Sequence, residues 1–544
     1  MPRALVALPF LLGIAAPSIV FAQGEHALPM RAHTVRLTID GEWSHASSRF
    51  GSPTPLNPNL AAGTPESLGV YFGGDSLGAR EMPWLTPLQQ QLQALTGIGS
   101  YAINLGQSKL TLETSIRRTP IRVDFAVSRR LVLGVAVPIV RSRSYAFLAL
   151  PDSHVASQGN VGFNPNLVAP GAYAAFRTDV DSALLALQTQ ATSGPASLQA
   201  QAQALYNQLQ PYLCGLYQLG AGNASSGASP CFAAAGAAAS DFLPSAPSEA
   251  GDSLTTRLGR AQTQYESLRQ QYAALGTTIP PFASAYALPA TPLDSNDLRR
   301  YVSDPAFPIA AETLATIVRT GIGDIELGGW YQLAMGPKWR SQVGALYRLG
   351  TGTMDQANNL IDVGTGDGQA DVELYTRNDI ILSPQLWLHA GARGGVQFAD
   401  ELQRRVSPYY LPYAPASMTT DVRRKLGSYV ALDLVPNWQL DESFGIGLGY
   451  HYFHQAATTF EYVNPADTLA LLAPASVLGE GTAVTRMRVG AGVTFSTLNR
   501  YAAGRAKVPY RVTWSYQKTL YGRGGQVERS SVMHLGIEIY LSPF

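Results

Sequence analysis

The chain is short of charge. Asp, Glu, Lys and Arg make up 14% of its 544 residues, against roughly 25% in soluble domains. The net charge of +1 excludes a strong single-sign field, so no nucleic-acid partner is expected. Cysteine is almost missing. The two present, Cys214 and Cys231, exclude a thiolate metal cluster but suit one disulfide in an oxidising compartment. No metal or other cofactor is expected. Long apolar runs are absent after residue 22: no uncharged stretch of about 18 residues occurs that could form a spanning helix.

What is there is glycine, 52 residues, and tyrosine, 26. The chain opens with Met1-Pro-Arg3, an apolar stretch from Ala4 to Val20, and the small-residue sequence Val20-Phe-Ala22. This is the pattern of a secretory signal peptide over 1–22. An exported chain without a spanning helix is periplasmic, secreted or an outer-membrane barrel. Period-2 patterning separates these, because a transmembrane barrel alternates lipid-facing and lumen-facing residues over segments of about ten.

That alternation recurs along the chain. Leu535, Ile537, Ile539 and Leu541 share one face of the last segment; His534, Gly536, Glu538 and Tyr540 share the other. The end at Phe544 resembles the C-terminal signal read by barrel-assembly machinery, with Pro543 implying a bulge or frayed end. The same pattern marks Val35–Trp43, Ile325–Tyr331, Val343–Leu349, Val372–Arg377, Leu386–Arg393, Val430–Leu434, Phe444–Tyr452, Met487–Phe495 and Val512–Gln517. Two segments near 108–127 and 131–143 bring the count to twelve, and even counts are the rule. In the first, Leu110, Leu112 and Ile116 share one face, and a phase slip at Thr119-Pro120 predicts a bulge.

Connections alternate short and long, as in a barrel with tight periplasmic turns. Short ones fall at 128–130, 336–338, 383–384, about 439–442 and about 498–507; long ones at about 44–107, 144–321, 351–369, 400–423, 456–482 and 521–528. Trp339, Trp438 and Tyr510 fall near the short-turn ends, and Trp43, Tyr347, Tyr450 and Tyr452 near the other rim, as aromatic girdles would.

The expected fold is therefore all-β: a transmembrane antiparallel barrel of twelve strands with a large helical insertion between strands 3 and 4. The organisation is a signal peptide (1–22), strands 1–3 with a long first loop (23–143), a helical, disulfide-containing insertion (144–321) and strands 4–12 (322–544). Within the insertion, Asp179–Leu213 and Leu254–Leu275 carry helical patterning, and 276–308 is Pro-rich and irregular. A Cys214–Cys231 bridge would close a loop of about 17 residues, worth about 3 kcal/mol in the chain-entropy view.

The inward phase nominates lumen-lining residues: Arg36, Asp40, Glu42, Glu113, Arg122, Asp124, Glu326, Glu373, Arg377, His389, Arg393, Asp433, Arg486, Arg488, Arg511 and Glu538. Mixed charges can line a wet channel or pair and plug a small barrel. The carboxylate-rich Asp362–Glu373 could offer oxygen ligands to Ca²⁺, but its spacing is not that of an EF-hand. A Gly-rich loop running into a strand is the preferred reading. The H-x-S-N-G signature of outer-membrane phospholipases is absent; Ser44-His45-Ala46-Ser47 lacks its Asn-Gly. No catalytic residue is nominated and no enzyme is expected.

Phe125–Pro138, Gly321–Gly328, Tyr347–Gly352 and Gly364–Gly366 resemble architectural segments of the transporter-like barrels linked to meta-pathway phenol degradation, and distantly the long-chain fatty-acid transporters. The resemblance implies passive passage of small molecules, hydrophobic or aromatic ones among them, across the outer membrane. The helical insertion departs from that pattern. Expected partners are outer-membrane lipid, the assembly machinery and a small solute. A closed barrel displaying an interaction domain, and an outer-membrane hydrolase, are the alternatives.

Overall fold

The computed structural model describes residues 30–149, 159–223, 229–232, 238–471 and 473–541. The expected signal peptide and Phe544 lie outside them. The chain divides into two compact units: 1–72 with 109–148 and 302–544, and 73–108 with 149–301.

The first unit is a closed antiparallel barrel of twelve strands. They are β1 (Val35–Ala46), β2 (Lys109–Ala126), β3 (Leu131–Ala149), β4 (Glu326–Met335), β5 (Trp339–Arg348) and β6 (Asp371–Ile381), then β7 (Leu386–Gln397), β8 (Tyr429–Gln439), β9 (Phe444–Gln455), β10 (Val484–Ser496), β11 (Tyr510–Arg523) and β12 (Ser531–Leu541). Each pairs with its sequence neighbours, and β12 returns to β1 in a register running from Val35↔Leu541 to His45↔Ser531. Closure follows from the alternation: with one face apolar, an open edge would leave unpaired backbone groups in lipid.

Outward side chains make an apolar band. Leu133, Leu333, Leu374, Leu448 and Leu535 are exposed, while inward neighbours such as Glu373, His389, His451 and His534 are buried. Trp339 and Trp438 stand exposed near the short turns, and Tyr347 and Tyr450 near the opposite rim. Trp339 and Tyr347 open and nearly close one strand. Their separation corresponds to about 20 Å of membrane thickness after tilt, close to the height of an outer-membrane apolar band.

Strand β2 corrects one expectation. Against β1 it has no bulge at Thr119-Pro120: the ladder skips Asp40 and Gly41 opposite these two residues but keeps one register from Val35↔Phe125 to Ala46↔Thr114. The hydrophobic pattern changes sides instead. Toward the short turn Ile121, Val123 and Phe125 point outward; toward the long loops Leu110 and Leu112 point inward and are buried. There the barrel interior holds a protein core, and the outer surface, with Lys109, Thr111 and Glu113, is polar. Register irregularities occur elsewhere, at Ser341/Gln342 and at Met487/Arg488. The second leaves Leu520 and Tyr521, sequence neighbours, both exposed, as a bulge requires.

The long loops of this unit carry structure of their own. Segments Asp400–Arg405, Thr419–Lys425 and Thr459–Tyr462 form a small sheet over a core of Tyr409, Tyr410, Met418, Val422 and Phe460. Arg404, Arg405 and Arg424 are buried. Arg404 meets Asp355 at 2.7 Å and Arg424 meets Asp400 at 2.6 Å. Among the described residues Arg405 meets no carboxylate; it donates to the carbonyls of Ile309, Ala310, Ala357 and Ala414.

The second unit is helical: α1 (Thr86–Thr96), α2 (Ala174–Ser193), α3 (Ala196–Ala221) and α4 (Glu249–Ala274). Gly194-Pro195 breaks what the composition reads as one helix into α2 and α3. Residues 73–108, from the first long loop, cluster with 149–301. Cys214 bonds Cys231, and it lies inside α3 rather than in the Gly/Ala/Ser stretch beyond it. Buried tyrosines recur in the core: Tyr173 donates to Ala287 O at 2.7 Å and Tyr265 to Pro280 O at 2.8 Å. Ser248 caps α4 by accepting from Gly251 N.

Candidate functional site: the inner wall of the barrel

The inward faces of the strands converge on a continuous charge network. Arg511 donates to both oxygens of Glu538 at 2.6 and 2.7 Å. Glu538 faces Arg36 at 3.8 Å, and Arg36 donates to Asp124 at 2.8 Å. Arg122 bridges Asp124 and Glu326, each at 3.9 Å. Arg118 holds Glu326 at 3.1 Å. Arg348 then joins Glu326 (3.2 Å), Asp371 (3.0 Å) and Glu373 (3.1 Å), and Tyr429 donates to Glu373 at 2.5 Å. The members come from β1, β2, β4, β5, β6, β8, β11 and β12, so the network runs along most of the inner circumference.

Small residues make room for it. A Cβ at Gly134 of β3 would stand 2.0 Å from Asp124 Oδ1, so only glycine lets that carboxylate lie against the wall. A Cβ at Gly395 would lie 2.4 Å from the Tyr429 ring. The ring rests on that bare backbone, which brings its hydroxyl to Arg348 and Glu373.

A second set of groups pairs histidine with carboxylate: His389 with Asp379 at 2.8 Å, His451 with Asp433 at 2.7 Å and His534 with Asp40 at 3.3 Å. Arg393 faces Asp433 and Glu373, and Arg377 lies 4.4 Å over the Tyr375 ring. Toward the long-loop end is a cavity of about 110 Å³, lined among others by Glu42, Asp324, Asp367, Phe453, Arg486 and Arg488. Asp324 is a loop anchor: it accepts from Gly352 N at 2.9 Å and from Asp367 N at 3.1 Å. Burial, with Asp324 alongside, pushes the Asp367 carboxyl up to about 7. Burial also raises Asp324, against the two backbone N–H groups it accepts.

Of the nominated lining residues, the network takes Arg36, Arg122, Asp124, Glu326, Glu373, Arg511 and Glu538. Asp40, His389 and Asp433 sit in the histidine pairs, and Glu42, Arg486 and Arg488 at the cavity. Glu113 is placed differently. It lies between the buried Leu112 and Thr114, so the pleat turns it to the outer face of β2. Arg118, Arg348, Asp371 and Tyr429 are network members outside the nominated set. Their signal was available, since Arg348 shares the inward phase of Gln342 and Asp371 that of Glu373. The carboxylates of Asp362–Glu373 are engaged by protein groups: Asp362 by Arg319 at 3.1 Å, Asp371 and Glu373 by Arg348. Among the described residues no cluster of His, Cys, Asp or Glu is arranged to hold a metal ion.

A closed barrel, apolar outside and charged within, is a transmembrane β-barrel of the outer-membrane type. No protein-family model matches the chain, and no curated protein does. Among solved structures it is similar to the COG4313 outer membrane channel from Pseudomonas putida F1, at 6% identity, covering 94% of this chain and 97% of that one, with a TM-score of 0.38. It is also similar to the Ralstonia pickettii toluene transporter TbuX (12% identity, 99% and 96% covered, TM-score 0.27) and to a Pseudomonas aeruginosa FadL homologue (8%, 94% and 90%, TM-score 0.26). At these TM-scores the likenesses carry no functional argument.

Proposed function

We propose that the protein is a passive outer-membrane channel for small molecules. The observation that supports this is partial exposure along the inner wall: Arg36, Glu42, Arg122, Arg377, Arg393 and Asp433 are half-buried rather than buried. Charged side chains that keep accessible surface inside a barrel are met by water. A wet inner wall in a barrel too wide to be filled by its own side chains is a solute path. Hydrophobic or aromatic solutes are those the sequence resemblance implies.

A closed scaffold is the second reading, favoured by the continuous pairing of inner-wall charges. A hydrolase has one contact behind it: His45 Nδ1 lies 3.2 Å from Ser115 Oγ on the exposed rim. Among the described residues no carboxylate or amide orients the other nitrogen of His45, which a nucleophile's base requires. We read the pair as a surface hydrogen bond. Single-channel recording of the purified full chain in a planar bilayer tests the proposal. Stepwise conductance is expected; silence from a barrel shown to be folded would overturn the channel and leave the scaffold.

A further inference from the structure

The inner-wall guanidinium groups of Arg36, Arg118, Arg122, Arg348 and Arg511 each have a carboxylate in ion-pair contact. Arg486 and Arg488 differ. They are two residues apart on β10, so both point inward, and neither has a carboxylate within ion-pair distance among the described residues. Arg488 is 6% exposed. It donates weakly to Thr519 Oγ1 (3.4 Å) and Ser530 Oγ (3.2 Å), and its Nη1 has no partner. Arg486 lies 5.0 Å over the Phe453 ring. Both line the cavity of about 110 Å³. Two inward cations, Arg488 buried and Arg486 half-buried, with an unused donor beside a partly open cavity, leave room for an anionic partner.

We propose that Arg486 and Arg488 form a lumenal binding site for the carboxylate of a small organic acid. The fork geometry of guanidinium suits two carboxylate oxygens. The charge wanted is single. Glu42 and Glu528 share the lining with the arginines, close enough to act on them electrostatically, and repel a doubly charged anion. Asp324 and Asp371 share the lining with Arg118 and Arg348, whose charges offset theirs in part. Phe453, Val484 and Val527 give the lining an apolar part that suits a short hydrocarbon body, among polar groups that include Ser44, Gln526 and Ser530. Size sets the upper limit: the cavity is smaller than the roughly 150 Å³ void that admits a benzene ring. Acids of two to four carbons fit this space and are favoured over aromatic acids. The site rests on the reading of the lumen as water-accessible, since a short acid must diffuse in.

The experiment is saturation-transfer NMR of butyrate with the detergent-solubilised full chain, with inorganic phosphate and benzoate as comparison ligands. Saturable butyrate binding is expected, with phosphate and benzoate at least tenfold weaker. Arg488→Gln should weaken butyrate at least tenfold, and Arg488→Lys should restore part of it. Glu42→Gln should tighten it several-fold. Arg505→Gln, which removes an exposed ion pair with Glu442, should change nothing. Absent saturable binding, or butyrate binding by Arg488→Gln equal to wild type with the barrel folded, would overturn the site. Bilayer recording separates the two readings. Conductance without butyrate binding sinks the site and leaves the channel; Arg488-dependent binding by an electrically silent barrel upholds the site and sinks the channel.

Discussion

Removing Arg348 should cost the barrel more than any other single inner-wall change. Its guanidinium meets three carboxylates and the Tyr429 hydroxyl. With Arg348→Gln, Glu326 keeps Arg118 at 3.1 Å. Asp371 and Glu373 lose the one cation in ion-pair contact with them among the described residues, while both stay buried. Breaking a buried pair from one side costs about 3–5 kcal/mol, because the charge left behind is uncompensated. No discount for solvent applies, since Arg348 is 5% exposed. Urea unfolding in lipid vesicles, followed by tryptophan fluorescence, reads the loss directly. The sharper test is compensation. Arg348→Met combined with Asp371→Asn and Glu373→Gln removes the stranded charges together with the cation, and should recover most of the deficit. A single variant within about 1 kcal/mol of wild type, or a triple variant no better than the single, would refute the idea that electrostatic pairing organises this wall.

Other expectations follow from the same geometry. Asp367 titrates near 7 in the folded chain against an ordinary 3.8. A raised carboxyl favours its neutral form, so its contribution is complete below about pH 4 and lost as pH rises through 7. Amide exchange in the 349–370 loop should therefore quicken from pH 5 to pH 8 beyond its intrinsic pH dependence, and Asp367→Asn should abolish the excess. Gly395→Val should displace the Tyr429 ring and cost about 1–3 kcal/mol in the same vesicle assay, despite the better strand propensity of valine. Replacing Cys214 and Cys231 by serine should destabilise the helical unit by about 3 kcal/mol, read as faster exchange in α3 with barrel exchange unchanged.

All twelve strands were legible because membrane and lumen impose opposite chemistry on alternate residues. The rule failed where its premise failed. Above the lipid band the outside is polar and the inside is a protein core, so Leu110 and Leu112 turn inward and mimic a slip in phase. The same inversion misplaced Glu113. Inward charges were legible as a set, but not as pairs. Arg118 and Glu326 are 208 residues apart, and no local pattern ties them. The break at Gly194-Pro195 was visible as residues, yet Ala-, Gln- and Leu-rich flanks on both sides concealed it. The pairing of 73–108 with 149–301 in one unit had no local signal at all, since contacts between distant segments leave no periodicity.

The charge network also bears on how the barrel carries load. Backbone hydrogen bonds run around the circumference like a hoop, stiff in tension but free to flatten into an ellipse. Several inner contacts skip a strand: Arg118 on β2 reaches Glu326 on β4, and Tyr429 on β8 reaches Glu373 on β6. Such contacts act as short chords across the curve, and a hoop braced by chords resists flattening. Lateral pressure from the bilayer then meets a wall of fixed cross-section, so that severing a chord would register first as fluctuation in the barrel's shape.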